Sequence, residues 1–85
     1  MKVHVGSILY DYTGGATVEA EGRTLDALLR DLDRQYAGLR FRVVDEQDRV
    51  RTHINVFVGT VLTRDLATPL TPNDEVHILG ALSGG

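Results

Sequence analysis

The sequence from Thr24 to Tyr36 reads TLDALLRDLDRQY and predicts an amphipathic helix. Thr24 is suited to cap the N-terminus of this helix, and Asp26 in the first turn suits the positive end of the helix dipole. Gly38 fits the position just after the helix end, where φ can be positive. The large apolar residues recur at intervals of three and four and share one face: Leu25, Leu28, Leu29, Leu32 and Tyr36.

The residues before the helix predict a β-hairpin. Lys2 to Leu9 alternates between apolar and polar residues in its first half, and Ala16 to Glu21 alternates again. Between these two strands, Tyr10 to Gly15 is predicted to be a loop because it ends in two glycines. The two strands are expected to pair antiparallel.

The residues after the helix predict two or three further strands. Leu39 to Val44 fits either a strand or a short helical turn. Val50 to Val58 alternates throughout and predicts a long strand, and a short element is expected at Val61-Leu62. Glu75 to Leu79 predicts the last strand, with Val76 and Ile78 facing inward.

This order of elements predicts an α+β fold of the β-grasp (ubiquitin-like) type. The fold is a mixed sheet of four to five strands with one crossing helix, and it is expected to span residues 1–79. In this arrangement the first and last strands lie side by side and parallel in the middle of the sheet, which requires a crossover connection.

Composition excludes several classes of function. The chain of 85 residues is large enough for one domain, and its net charge of −3 with no basic run argues against nucleic acid as a partner. Its apolar runs are too short to cross a membrane, and the alternating N-terminus does not resemble a signal peptide, so a cytoplasmic location is expected. With no cysteine, the chain has neither a thiol nucleophile nor a cysteine zinc site.

The C-terminal residues 80–85 are expected to form a flexible tail ending in Gly84-Gly85. The six residues carry no charged side chain, and when extended they reach about 20 Å. Because glycine has no Cβ, the end of this tail can approach another surface closely. The sequence leaves two interpretations open: a frayed terminus, or a reactive end that enters the active site of another protein.

The chain resembles the ThiS/MoaD family of ubiquitin-like sulfur carriers over nearly its whole length. The resemblance is carried by Thr24–Tyr36, Ile54–Val58, Thr68–Ile78 and Ser83–Gly85, and most specifically by Asp74-Glu75-Val76 and the terminal Gly84-Gly85. Thr13-Gly14-Gly15 and the predicted strand from Val50 to Val58 are similar to the branch that supplies sulfur for cysteine biosynthesis in actinobacteria. Gly59-Thr60 and Gly80 depart from the family, which often has Asn-Gly and proline at these positions.

The resemblance implies a carrier mechanism centred on Gly85. An E1-like adenylating enzyme would consume ATP to activate the Gly85 carboxylate, and a sulfur donor would convert it to a thiocarboxylate. A sulfur-accepting synthase, with PLP as its possible cofactor, would take the sulfur, and a JAMM-type metalloprotease would release the product. Gly84 and the residues before it would thread through the partners' channels: Gly80, Ala81, Leu82 and Ser83. The chain itself would bind no cofactor and would be a co-substrate, not an enzyme.

Other functions remain open at this point. Within the family, the small subunit of molybdopterin synthase and a thiamin-type carrier are alternatives. A different class is a ubiquitin-like modifier conjugated to target lysines. A third is a plain β-grasp interaction module with an inert tail.

Strand alternation predicts a docking face beside the root of the tail. His4, Phe57, His77 and Leu79 are expected to share the outward face of the sheet, where exposed apolar groups suit a protein partner. The competing interpretation is that these are scattered surface residues.

The spacing of His4, His53 and His77 matches no ligand motif, so no metal is expected. The acidic stretch from Asp45 to Asp48 is interpreted as a solvated turn because it lacks the calcium-loop pattern.

Overall fold

A computed structural model of the chain describes residues 1–80. Five strands and three helices follow one another: β1 (Lys2–Val5), α1 (Tyr10–Thr13), β2 (Thr17–Glu19), α2 (Leu25–Gln35), α3 (Leu39–Val43), β3 (Ile54–Val58), β4 (Val61–Thr63) and β5 (Val76–Gly80). A single 3₁₀ turn, Ser7–Leu9, precedes α1.

The strands form one mixed sheet in the order β2-β1-β5-β3-β4. β1 and β5 are parallel neighbours at its centre, with Val3 opposite Val76 and Val5 opposite Ile78. β2 pairs antiparallel with β1, while β3 pairs antiparallel with both β5 and β4. The predicted β-grasp architecture is therefore confirmed, and the central parallel pair lies where the sequence placed it.

Helix α2 covers the inner face of the sheet. Its four leucines at positions 25, 28, 29 and 32 are fully buried, together with Val3, Ile54, Val56, Val76 and Ile78 from the strands. The predicted N-cap is present, because the Ala27 backbone N–H donates to Thr24 Oγ1 at 3.2 Å. The helix ends at Gln35, and Gly38 has the positive φ expected after it, 92°.

The single crossing helix predicted from the sequence is joined by two short ones. α3 resolves the ambiguity at 39–44 in favour of a helical turn, which buries Leu39 and Val43 against α2 and the rest of the core. The Gly38 and Arg40 backbone N–H groups both donate to Asp33 Oδ1 at 3.1 Å, which fixes the start of this turn. Arg40 also pairs with Asp26 of α2, with 2.7 Å between Nη2 and Oδ1.

The connection between β1 and β2 differs from the predicted loop. The first strand ends at Val5, and the chain then turns through the 3₁₀ turn and α1 to end on Gly14 with φ of 73°. This coiling buries Leu9 completely, whereas a strand continuing to Leu9 would have carried it past the core. The predicted strand from Lys2 to Leu9 is therefore wrong in its second half, and the second strand shortens to Thr17–Glu19.

The long strand predicted from Val50 to Val58 is also wrong in its first half. Only residues 54–58 join the sheet, while residue 50 makes an isolated bridge to Val44. Residues 50–53 do not join the sheet because the Arg64 guanidinium binds the backbone in this region. It donates to four backbone carbonyls, those of Val50, Arg51, Thr52 and Ile54. Carbonyls gathered around one cation cannot alternate along a strand, so the segment turns.

The start of α2 is held by the loop that precedes β5. The Leu25 N–H donates to the Thr68 carbonyl, and the Leu70 N–H donates to the Arg23 carbonyl, both at 2.9 Å. Gly22 lies inside this junction, where a Cβ would come within 2.4 Å of the Leu28 backbone nitrogen. Such a distance is below any van der Waals contact, so this position requires glycine.

We expect Gly22→Ala to destabilise the fold by about 1–3 kcal/mol, because the added methyl group forces α2 away from its junction. Urea denaturation monitored by circular dichroism measures the loss. Gly15→Ala is the matched control, because no atom lies within 4 Å of a Cβ built there. Its free energy of unfolding should stay within about 0.5 kcal/mol of the parent. Equal stability of the two variants would contradict the packing argument.

Candidate functional site

The face of the sheet that α2 leaves uncovered carries the predicted docking residues. His4 lies directly opposite His77 in the parallel β1–β5 pair, and His77 lies opposite Phe57 in the antiparallel β5–β3 pair. Leu79 follows two residues after His77 on the same side of β5, as strand alternation requires. The four residues that the sequence assigned to one face are therefore brought together. His4, His77 and Phe57 form one row across three strands, and Leu79 lies beside this row on β5.

The apolar part of this face extends further than the sequence suggested. Leu62 of β4 lies opposite Phe57 and is 53% exposed, and Leu79 is 36% exposed. Phe57 itself is half-buried between its neighbours. Leu62 could not be assigned to this face from the sequence because β4 is only three residues long, too short for alternation to define its faces.

The polar part of the face is a cluster of His4, Glu75 and His77. The His4 Nε2–H donates to Glu75 Oε1 at 2.7 Å, and the two imidazole rings stack with 4.5 Å between centroids and 12° between planes. The hydrogen bond from His4, together with the positive charges of His4, Lys2 and His77, holds the pKa of the Glu75 carboxyl below its usual value. Strand alternation predicts the two histidines on this face, but Glu75 was not predicted there because it lies just before β5.

The other residues considered for a metal lie elsewhere. His53 is in the turn before β3, with its Nε2 3.1 Å from Arg42 Nη1, and does not reach the other two histidines. In the acidic turn, Asp45 Oδ1 accepts hydrogen bonds from the Gln47 and Arg49 backbone N–H groups. Its carboxylate thus closes the turn, as the interpretation of a solvated turn implies.

The end of β5 coincides with the first residue of the predicted tail. Gly80 is the last residue of β5 and lies opposite Ile54 of β3, so the strand continues one residue past the predicted end of the domain at Leu79. A Cβ at this position would meet Ile8 only at 3.7 Å, an ordinary contact. Ala81, Leu82, Ser83, Gly84 and Gly85, the remainder of the predicted tail and reactive end, lie outside the described residues.

Helices in the described part of the chain are short. No helix among residues 1–80 combines the length and the apolar character needed to cross a membrane.

Comparison with known proteins identifies the family. The ThiS family model matches residues 3–85, which is nearly the whole chain. The chain belongs to the ThiS family. The match includes Gly84 and Gly85, so the family pattern extends through the predicted reactive end.

Among curated members of this family, the sulfur carrier protein CysO of Mycobacterium tuberculosis is 36% identical to the chain. The alignment covers all of the chain and 98% of the relative. The CysO protein of Mycobacterium bovis is equally similar over the same extent.

Solved structures of similar proteins share the fold. The crystal structure of an Amycolatopsis orientalis BexX/CysO complex contains a chain with a TM-score of 0.89 and 31% identity, covering 99% of this chain and 98% of that one. The small archaeal modifier protein 1 of Methanosarcina acetivorans has a TM-score of 0.82 and 25% identity, covering 99% of this chain and 94% of that one. The fold is thus common to proteins described as sulfur carriers and as modifiers.

The contact between His4 and Glu75 predicts a measurable titration. Replacing His4 with alanine should raise the pKa of the Glu75 carboxyl, because the mutation removes the hydrogen bond and the nearby positive charge that favour the carboxylate. Carbon-13 NMR of the Glu75 carboxyl as a function of pH, in the presence of a chelator, measures the shift. His53→Ala is the matched control and should leave this titration unchanged. A Glu75 pKa that is unaffected by the loss of His4 would show that the pair does not form in solution.

Proposed function

We propose that this chain is a sulfur carrier that is adenylated at the Gly85 carboxylate and converted there to a thiocarboxylate. The observation that carries the proposal is full-length similarity to sulfur carrier proteins of the CysO type, with the two terminal glycines inside the family match. The chain has no cysteine, so sulfur cannot be held on a side-chain thiol and needs another point of attachment.

The chemistry follows from the properties of a carboxylate. A carboxylate resists nucleophilic attack, so ATP must first convert it to an acyl adenylate, with pyrophosphate as the by-product. A sulfur nucleophile then attacks the acyl carbon, and AMP leaves. Release of the sulfur from its donor gives the thiocarboxylate, in which sulfur has replaced one oxygen. This soft anion is the nucleophile that attacks an activated acceptor in the last step.

The protein contributes a carboxylate and a surface, and partner enzymes contribute the catalytic groups. An E1-like enzyme would bind ATP and perform the adenylation, which makes the cytoplasm, where ATP is available, the expected location. A sulfur-accepting synthase would use the thiocarboxylate, and PLP in that synthase would provide the aminoacrylate acceptor of cysteine biosynthesis. A JAMM-type metalloprotease would then release the amino acid. A secondary metabolite is the other acceptor class, and the BexX/CysO complex indicates that a CysO protein associates with a partner.

The exposed sheet face is proposed to be the surface that these partners recognise. Phe57, Leu62 and Leu79 provide its apolar part, and the His4–Glu75–His77 cluster provides polar groups beside it. All of them except Glu75 lie in paired strands, and Glu75 is held by its contact with His4, so the surface requires little reorganisation on binding. Because β5 carries both His77 and Gly80, a partner bound here would also hold the strand that precedes residues 81–85.

A second candidate function is a ubiquitin-like modifier, and similarity to small archaeal modifier protein 1 favours it. Both functions begin with adenylation of the terminal glycine and differ in the nucleophile, which is sulfur for a carrier and a lysine amine for a modifier. Ladders of conjugates on blots of cell extract would favour the modifier. Two further carrier roles remain alternatives: a thiamin-type carrier, and the molybdopterin synthase small subunit, which would co-purify with a large subunit.

Incubation with ATP, a sulfide source and the cognate activating enzyme should increase the intact mass by the difference between sulfur and oxygen. Deleting Gly85 should abolish this gain and change the free energy of unfolding by no more than about 0.5 kcal/mol, because the deletion leaves unchanged every core residue described among residues 1–80. Intact-mass spectrometry and urea denaturation measure the two effects. Ser83→Ala is the matched control, since it keeps both glycines and should gain the mass normally. A wild-type chain that gains no mass with an active enzyme would contradict the carrier function.

Replacing Phe57 and Leu79 with serine should lower kcat/KM for thiocarboxylate formation by about tenfold or more, as expected for central contacts of an interface. The loss should appear mainly in KM, because these side chains bind the partner and do not touch the reacting atoms. Phe41→Ser is the matched control, because Phe41 is 56% exposed on α3, away from the sheet. If the double variant loses stability, Leu62→Ser tests the same surface at a more exposed position. Normal kinetics in a folded double variant would exclude this face as the docking surface.

A further inference from the structure

Two imidazoles and one carboxylate meet on the exposed face of the sheet, and the proposed sulfur chemistry does not use them. His4 and His77 stack in adjacent strands, and Glu75 contacts His4 at 2.7 Å. Each of the three residues offers one ligand atom, and these atoms all lie within 4.8 Å of one another. Among residues 1–80, this is the one group of histidine and acidic side chains with ligand atoms gathered in this way.

We propose that His4, Glu75 and His77 form a binding site for a divalent transition-metal ion, with Zn²⁺ as the type ion. Imidazole nitrogen and carboxylate oxygen are ligands that Zn²⁺ accepts readily. Two nitrogens and one oxygen supply three of the four positions of tetrahedral zinc and leave the fourth for water or another group. Mg²⁺ and Ca²⁺, which prefer oxygen ligands, should bind this set poorly.

The backbone already places the three ligands. His4 and His77 are direct partners in the parallel β1–β5 pair, and Glu75, just before β5, contacts His4, so all three side chains lie on the same side. The side chains need only rotate to bring their ligand atoms from the present separations to metal-bonding distances. Because β1 and β5 are the central strands of the sheet, their spacing cannot widen without disrupting the fold.

The site is open to an ion from solvent and its charge balance is favourable. The side chains of His4 and Glu75 are 31% and 56% exposed. Deprotonated imidazoles are neutral and the Glu75 carboxylate is negative, so a divalent cation meets no net positive charge from its own ligands. Lys2 lies two residues before His4 on the same face and opposes cation binding, and Glu19, opposite Lys2 in the β1–β2 pair, is 3.7 Å from the Met1 ammonium group.

Alternation placed His4 and His77 on one face, but the site could not be predicted from it because the ligands come from distant parts of the chain. His4 and Glu75 are 71 positions apart, and only the parallel register of β1 and β5 joins them. Short-range ligand motifs cannot detect such a pair. The metal site does not depend on the sulfur-carrier function, so an experiment can disprove either one without disproving the other.

Titration of the untagged full-length chain with Zn²⁺ tests the site, since a histidine tag would bind the metal itself. Isothermal calorimetry should give one ion per chain, and Co²⁺ should produce the visible absorption of a tetrahedral site. Loss of a residue that hydrogen-bonds to a metal ligand weakens metal binding roughly 10–100-fold. His77→Asn removes a ligand itself, so it should weaken Zn²⁺ binding at least as much. Binding should also weaken at acid pH, because protonated imidazole cannot be a ligand.

His53→Asn is the matched control and should bind Zn²⁺ as tightly as the parent, because His53 lies outside the cluster. NMR of the parent chain provides a readout that does not depend on variant folding: Zn²⁺ should shift the ring signals of His4 and His77 and leave those of His53 in place. Binding that His53→Asn weakens as much as His77→Asn would overturn the proposal. So would ring signals of His4 and His77 that do not respond to Zn²⁺.

Discussion

The parallel pairing of β1 with β5 is the constraint on which the rest of this structure depends. It joins the two ends of the described chain at the centre of the sheet, and it requires the intervening chain to cross over, which α2 does while covering the inner face. The same pairing aligns His4 with His77 on the outer face and leaves Gly80 at the end of a strand that is supported on both sides. The core, the candidate docking face and the position of Gly80 therefore all depend on this one pairing.

Sequence predicted the parts of the fold that depend on local periodicity. Helix α2 follows from leucine spacing and a threonine cap, and both are as expected. The errors lie where a distant group overrode a local pattern. Residues 50–53 alternate like a strand, but Arg64 binds the carbonyls of Val50, Arg51 and Thr52, and no sequence pattern near residue 50 indicates contact with an arginine 14 positions away. Leu9 likewise leaves the predicted strand because burial in the core stabilises a coiled connection more than continued alternation does.

The candidate site was predictable to the extent that strand alternation defines a face. Alternation along each strand shows which residues point outward, and this places four of them on one face: His4, Phe57, His77 and Leu79. Which atoms touch depends on register, and register is set by the packing of the opposite face. Burial of Val3 against Val76 inside the core is what brings two imidazoles into a stack outside it. Contacts of this kind, such as that between His4 and Glu75, can be predicted only when the strand pairing is known.

The position of β5 between β1 and β3 has a mechanical consequence. When the sheet face is held and the chain beyond Gly80 is drawn away, the load acts along the axis of β5. The hydrogen bonds from β5 to β3 run across that axis, and those from β5 to β1 are slanted to it. A pull along the axis therefore loads all the bonds of both strand pairs together and does not break them one at a time. An edge strand would have a single ladder to resist the same pull. The domain can therefore remain folded while tension acts on the chain beyond Gly80.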